Sequence, residues 1–540
     1  MRAVIMILLC GVVTAQEDHS LHQHAVAGLG SVDFRSSCNA PAQASISRAV
    51  ALLHSFGYEE ARNVFKDAAR ADPSCAIAYW GVARTWYHPI WAPPSPEELK
   101  QGSASLAQAL AIDAKTARER DYIQSLSVFY KDWQTVDHTT RAKAYEQALR
   151  GVCDRNPEDD EAAIFHALQM VAIGYLDPTD KSYRWQKNGS EILNRLLPRH
   201  QNHPGVAHYI IHSVDYPPLA ESGLKAARAY AAIAPDSPHA LHMPSHIFTR
   251  LGLWDDSITS NVASAKSAIA QAQRLHGGGG SFDQLHAMDY LVYAYLQQAK
   301  DTSARKVLME MREMTRVDDN QFAAAYAFAA SPARWALERH DWRAASTLEK
   351  APVWFPWERF RNVEALVHYA RAIGAARAGD VATARRSVDE IAVIRKALPA
   401  TRDYDWSGSI GAQWEAASAL VAWAEGKKTD GIRLLRLAAE HEDAVDKHPV
   451  TPGALLPVRE ILADVLLEDG AAADALTEYE AVLKTAPRRF NATAGAAKAA
   501  DKAGDRTRAR AYAMQLQEIA KGGETSRPEL QWARAYLTPR

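Results

Sequence analysis

Two segments of this chain each carry a pair of histidines four residues apart behind a proline. The first reads Pro204-Gly-Val-Ala-His208-Tyr-Ile-Ile-His212 and the second Pro238-His-Ala-Leu-His242-Met-Pro-Ser-His246. Residues four apart on a helix lie one above the other, about 5.4 Å along the axis, so each pair can close on one ion through two ring nitrogens. Proline has no N–H to lose and a preset φ, which suits it to the first helical position. Each segment is therefore expected to be a helix that starts at its proline and shows its imidazoles on one stripe. His239 sits beside the second pair, Asp215 follows the first, and His286, Asp289 and Tyr293 repeat a similar spacing further on. Imidazole-rich ligation suits zinc, copper or iron. No cysteine lies in the cluster, so a structural cysteine–zinc site is not expected.

Stepping from the first segment to the second moves proline to proline, and each histidine to its counterpart, by 34 positions. A fixed period of that size marks a helical repeat in which each unit buries its face against the next. The same design recurs elsewhere. Tyr58, Ala61, Phe65, Ala68 and Pro73 lead into Tyr79, Val82, Ala83 and Trp86. Leu462, Ala463, Leu466, Ala475, Tyr479 and Pro487 lead into Ala497, Gly504, Asp505, Ala509 and Leu516. Small residues stand where two helices must cross closely, large apolar ones fill between them, and proline closes the unit.

In these positions the chain resembles the tetratricopeptide repeat (TPR) superfamily over nearly everything after about residue 40. It also resembles a group of exported bacterial TPR proteins with HPGxxHYxxHxxD and PHxxHMPSHIF segments, matched here by residues 203–215 and 238–248. The resemblance implies an all-α, right-handed superhelix of roughly nine or ten helix–turn–helix repeats; it implies no reaction. It also implies that His208, His212, Asp215, His239, His242, His246, His286, Asp289 and Tyr293 face a concave groove. Trp80, Arg84, Tyr87 and His88 hold similar positions in an earlier repeat. Adjacent helices pack about 8–10 Å apart, which two imidazoles and an ion can bridge. One site built from His208, His212, His242 and His246 is therefore expected, with Asp215, His239, Asp289 or His286 completing it or orienting a ligand. The competing expectation is a groove that uses the same residues to hold a peptide, protein or small molecule without metal. Enzymatic activity stays open. If present, a metal would activate water or dioxygen, with Tyr209, Tyr290 and Tyr293 as candidate proton donors or radical-adjacent groups.

Composition sets the frame around the site. The chain has 540 residues, 47% of them hydrophobic, and a formal net charge of −2. That is too long for one ordinary core, and its neutrality argues against nucleic acid or an anionic membrane as the main partner. Arg2, the apolar run 3–13 and Val13-Thr-Ala15 read as a secretory signal, too short to span a bilayer, with a mature start near Gln16. Export to the periplasm or medium follows as an expectation, and no later segment is apolar enough to span a membrane. An oxidising compartment permits one disulfide, expected as Cys38–Cys75, the alternative being free thiols at Cys38, Cys75 and Cys153. The expected divisions are a signal at 1–15, an N-terminal segment at 16–40, and repeats at 41–200. A histidine-rich centre follows at 201–300, irregular repeats at 301–440, and C-terminal repeats with a cap at 441–540. Pro244, six residues after Pro238, is expected to kink its helix or make it start late. His448-Pro-Val-Thr-Pro452-Gly reads as a turn before a helix. No phosphate-cradling glycine loop, His-Glu-x-x-His or Gly-x-Ser-x-Gly occurs.

Overall fold

A computed structural model of the protein describes residues 24–318, 322–398, 404 and 406–538. The expected signal segment 1–15, with Cys10, lies outside these residues, as do His19 and His22 of the segment that follows it. Among them the chain is a succession of antiparallel helices, with one small sheet in which His24–Val26 pairs antiparallel with Gly30–Val32. Each helix packs on its neighbour in sequence. Alternate helices also touch, as Ala76–Arg84 does Ala117–Tyr130 and as Phe282–Gln297 does Phe322–Leu337. This is an α solenoid of stacked helical hairpins.

The repeat is built by the periodic residues. On Tyr58–Ala71 the buried stripe includes Tyr58, Ala61, Phe65 and Ala68, the three- and four-residue spacing that puts side chains on one face. Gly81 lies against the Phe65 ring and Gly495 against the Tyr479 ring, so a Cβ at either position would collide with the preceding repeat. Among the described residues there are twelve hairpins and the closing helix Pro528–Leu537, against roughly nine or ten repeats expected. The extra units hide in sequence for physical reasons. Ala117–Tyr130 and His138–Arg155, for example, are joined without a glycine turn.

Two large apolar clusters run along the solenoid, one between Leu29 and Phe248, the other between Leu285 and Ala509. The segment 445–457 bridges elements of both. Asp446 N–H donates to Pro178 O (3.0 Å), and Tyr290 Oη donates to Thr451 O (3.2 Å). Arg334 donates to Gly453 O and Ala454 O, both at 2.7 Å. The strand hairpin closes another edge, where Ser31 N–H meets Asn202 O (2.9 Å) and Asp236 N–H meets Gly28 O (3.0 Å). Cys38 and Cys75 form a disulfide with a Cα–Cα distance of 5.2 Å, tying the N-terminal segment to the start of Ala76–Arg84.

Candidate metal centre

Both histidine helices begin at their prolines. Pro204–Val214 is capped by His203, whose Nδ1 accepts the Val206 N–H. Pro238–His242 is capped by Ser237, whose Oγ accepts the Ala240 N–H. The second helix breaks at Met243 and resumes as Pro244–Arg250, because Pro244 has no N–H to offer the Ala240 carbonyl. Pro204–Val214 is buried on every face. Val206, Ile210 and Ile211 fill the core, and its histidine face lies under neighbouring helices.

The six histidines are 0–4% exposed, so the open groove expected for them is closed. Nor do they gather as one four-histidine site. His208, His212 and His239 form one triad, and His242, His246 and His286 form another, each with its ligand nitrogens within 4.8 Å of one another. His239 therefore leaves its own helix-mates and joins the first pair, and His286 arrives from Phe282–Gln297. The closest approaches are His208 Nε2 to His239 Nε2 at 3.1 Å and His242 Nε2 to His246 Nε2 at 3.0 Å. Two nitrogens held on one ion at about 2.0–2.1 Å stand roughly 3 Å apart.

The far side of each ring decides what those close nitrogens are. His208 Nδ1 faces the His54 carbonyl at 2.6 Å, so it carries the proton. His246 Nδ1 faces the Asp215 carboxylate at 2.9 Å and carries the proton too. His242 Nδ1 lies 2.6 Å from Asn261 Oδ1. The Asn261 amide nitrogen is committed to Ser257 O (2.8 Å), so the atom facing His242 is an acceptor, and His242 Nδ1 also bears its hydrogen. Neutral His242 and His246 thus turn two Nε2 lone pairs toward each other across 3.0 Å. No hydrogen bond joins two acceptors. A cation between them does, and a ligand histidine whose other N–H is tied to a carbonyl or carboxylate has the arrangement such ligands use.

Burial, followed by the neighbouring histidines, holds His212, His239 and His286 well below their ordinary pKa. Burial brings His208 to about 3 and holds His242 and His246 down, with the Asp215 hydrogen bond opposing it at His246. All six are neutral near pH 7 and offer lone pairs. Both nitrogens of His212, and Nδ1 of His239, are buried with no hydrogen-bond partner.

The third cluster, His54, Glu161 and His203, is different. Glu161 accepts from His54 Nε2 (2.9 Å) and from His203 Nε2 (3.0 Å), while His54 Nδ1 accepts the Tyr209 hydroxyl (2.9 Å). Every ring nitrogen there is satisfied, and the cluster props His208 through the His54 carbonyl.

Other expected site residues take other places. Asp215 reaches no triad centre; it receives His246, Arg250 Nε (2.8 Å) and Lys447 Nζ (2.9 Å). Asp289 accepts from Ser331 Oγ (3.1 Å) and lies 3.5 Å from Arg334 Nε, which withdraws it from the histidines. Trp80, Arg84 and Tyr87 do not line a groove. Trp80 stacks on Phe34, Arg84 donates to Tyr87 O (2.8 Å), and Tyr87 stacks on Phe129, because the N-terminal segment and the next hairpin cover them. Tyr293 lies beside Arg489 at 3.3 Å, and Tyr290 Oη lies 3.4 Å from the His246 ring nitrogens. His88 stands on the wall of a cavity of about 740 Å³ that also reaches His239, Tyr58, Trp91 and Phe282.

Four contributors lie outside the set of expected site residues. Phe56, at φ 57° in a helix–helix turn, packs on His208, His212 and His239. Trp91 packs on His239, Asn261 fixes His242, and Lys447 neutralises Asp215. None has a spacing that announces it; only the backing of a candidate ligand could have prompted a search for Asn261.

No family model and no curated protein matches this chain. Among solved structures, it is similar to a human IFIT1 dimer with m7Gppp-AAAA, at 12% identity, 91% of each chain and a TM-score of 0.40. It is also similar to a human IFIT1 dimer with PPP-AAAA, at 11% identity over 87% of this chain and 89% of that one, TM-score 0.38. The P58(IPK) TPR domain aligns at 13% identity over 92% of this chain and 98% of that one, with a TM-score of 0.21. Scores this low carry no argument about function.

Proposed function

We propose that this protein is an exported metalloprotein that holds transition-metal ions in its twin histidine triads. The observation that carries this reading is the pair of Nε2 lone pairs of His242 and His246 facing each other at 3.0 Å, each ring anchored through its Nδ1–H. The unpartnered nitrogens of His212 and His239 support it from the first triad. All-imidazole ligation suits copper, zinc or iron. Export is supported by the Cys38–Cys75 disulfide, a bond that persists in oxidising compartments. The peptide-scaffold reading loses ground because the six histidines are buried and do not line an open groove.

The test is elemental analysis of the full chain, purified without a histidine tag, after incubation with copper, zinc or iron and desalting. At least one equivalent of one metal per chain is expected. Less than about a tenth of an equivalent of every metal overturns the reading. His208→Ala combined with His242→Ala is expected to remove stoichiometric binding while far-UV circular dichroism stays unchanged.

A further inference from the structure

We infer that the two triads form one dinuclear copper centre that binds dioxygen between its ions as peroxide; this rests on the metal reading above. Nearness is the first support. The rings of His212 and His246 are 6.0 Å apart and those of His239 and His242 are 6.2 Å apart, although each pair bridges two triads. His212 and His239, within one triad, are also 6.2 Å apart. The two ligand sets therefore share one space. Three imidazoles leave each ion with an open position, and such positions in adjoining triads can be spanned by a small bridging ligand.

Charge selects the metal. The charged groups touching the six rings or their immediate partners are Asp215, Asp283 (3.8 Å from His239 Nδ1), Arg250 and Lys447. Two cations therefore stand against at most two carboxylates. Asp289 is matched by Arg334, and Glu161 is enclosed by His54 and His203. The protein thus contributes no net negative charge to a buried site, where uncompensated charge is costly. Two divalent ions would leave four positive charges there. Two Cu(I) ions leave two, and imidazole is among the ligands that hold copper.

Dioxygen uptake conserves that charge. Each Cu(I) gives one electron and becomes Cu(II). The two electrons convert O2 to a bridging peroxide dianion, and no proton is required. Two positive charges are present before the step and two after it. Access is provided by the cavity of about 740 Å³, which carries His239 on its wall beside Phe56, Trp91 and Phe282.

The experiment loads the full chain with Cu(I) under nitrogen, removes excess copper, counts the metal, and then admits air. Expected are two copper ions per chain, one O2 consumed per two coppers in an oxygen electrode, and a new near-ultraviolet absorption band. The oxidised protein should show almost no cupric electron paramagnetic resonance signal, because the two unpaired electrons couple through the bridge. One copper per chain, a full cupric signal from two coppers, or no oxygen uptake overturns the dinuclear inference and leaves the metal reading standing. Failure to hold copper, zinc or iron overturns both. His286→Ala removes a ligand of the second triad alone. It should retain about one copper and lose oxygen uptake by at least roughly tenfold, with its oxidised copper now visible by resonance. His239→Gln, on the cavity wall, gives the corresponding result for the first triad. Wild-type oxygen uptake in both variants overturns the inference.

Discussion

A ring nitrogen becomes a ligand through the atom that holds its opposite edge. His242 depends for this on Asn261, whose carboxamide oxygen accepts the Nδ1–H at 2.6 Å while its nitrogen is fixed by Ser257 O. Asn261→Ala frees the ring to change tautomer and rotate. Metal affinity at the second triad should fall about 10- to 100-fold, the usual cost of losing an outer partner, with helicity unchanged. Competitive titration against a chelator measures it, and affinity within twofold of wild type would show that Asn261 does not set the tautomer. At this scale the sequence was informative about residue type and silent about grouping. The stripe His239, His242, His246 reads as one face of one helix. Its first member turns to the neighbouring repeat, because the centre is shared by three helices that sequence spacing treats one at a time.

Elements decide whether that centre is open or closed. Pro244 does break its helix, as its missing N–H requires. The break does not create the pair, however: the rings of His242 and His246 are 4.9 Å apart, against 4.8 Å for His208 and His212 on an unbroken helix. The segment 445–457, which the sequence reading placed only as a turn before a helix, packs beside the centre, where Lys447 meets Asp215 and Thr451 meets Tyr290. Its anchor, Arg334, lies more than a hundred residues away in sequence and is buried beside Asp289. Arg334→Met leaves two carbonyls without their donor and Asp289 without its charge partner, a loss of about 3–5 kcal/mol for a broken buried pair. Amide hydrogen exchange should rise across 445–457, and bound metal should pass to a chelator faster than in wild type. Unchanged exchange in that segment would remove Arg334 from this anchoring role.

The whole molecule encloses a store of imidazoles that refuse protons, and its stability with pH follows from that. A 34-residue period was enough to expect stacked helical hairpins, since each repeat buries its face on the next. Contacts between distant turns of the solenoid, which carry no period, turn the expected groove into an interior. Burial holds His208, His212, His239, His242, His246 and His286 below 6.5, and His54, His88, His138 and His448 likewise at about 3 to 4. Below pH 6.5 the unfolded chain takes up protons that the folded one refuses, so stability falls as pH drops toward the folded values. Each such group contributes up to about 1.4 kcal/mol per pH unit. Asp283, Glu442 and Glu460, raised to about 7 by burial, act in the opposite sense over this window, because the folded state binds their protons first. Asp215, held well below 3.8 by Lys447 and Arg250 against the cost of burial, loses its contribution only at lower pH. Ten histidines shifted in this sense outnumber three carboxyls shifted in the other, so the net slope runs toward lower stability as pH falls. Metal-free protein should therefore melt at steeply lower temperature between pH 6.5 and 5. Metal, which also demands neutral imidazole, should raise the melting temperature at pH 7 and be released along the same descent. Circular dichroism melts of both forms across this range measure it. A flat profile for the metal-free form would mean that these rings are hydrated and titrate freely, and the enclosed lone pairs on which the metal reading depends would be lost with it.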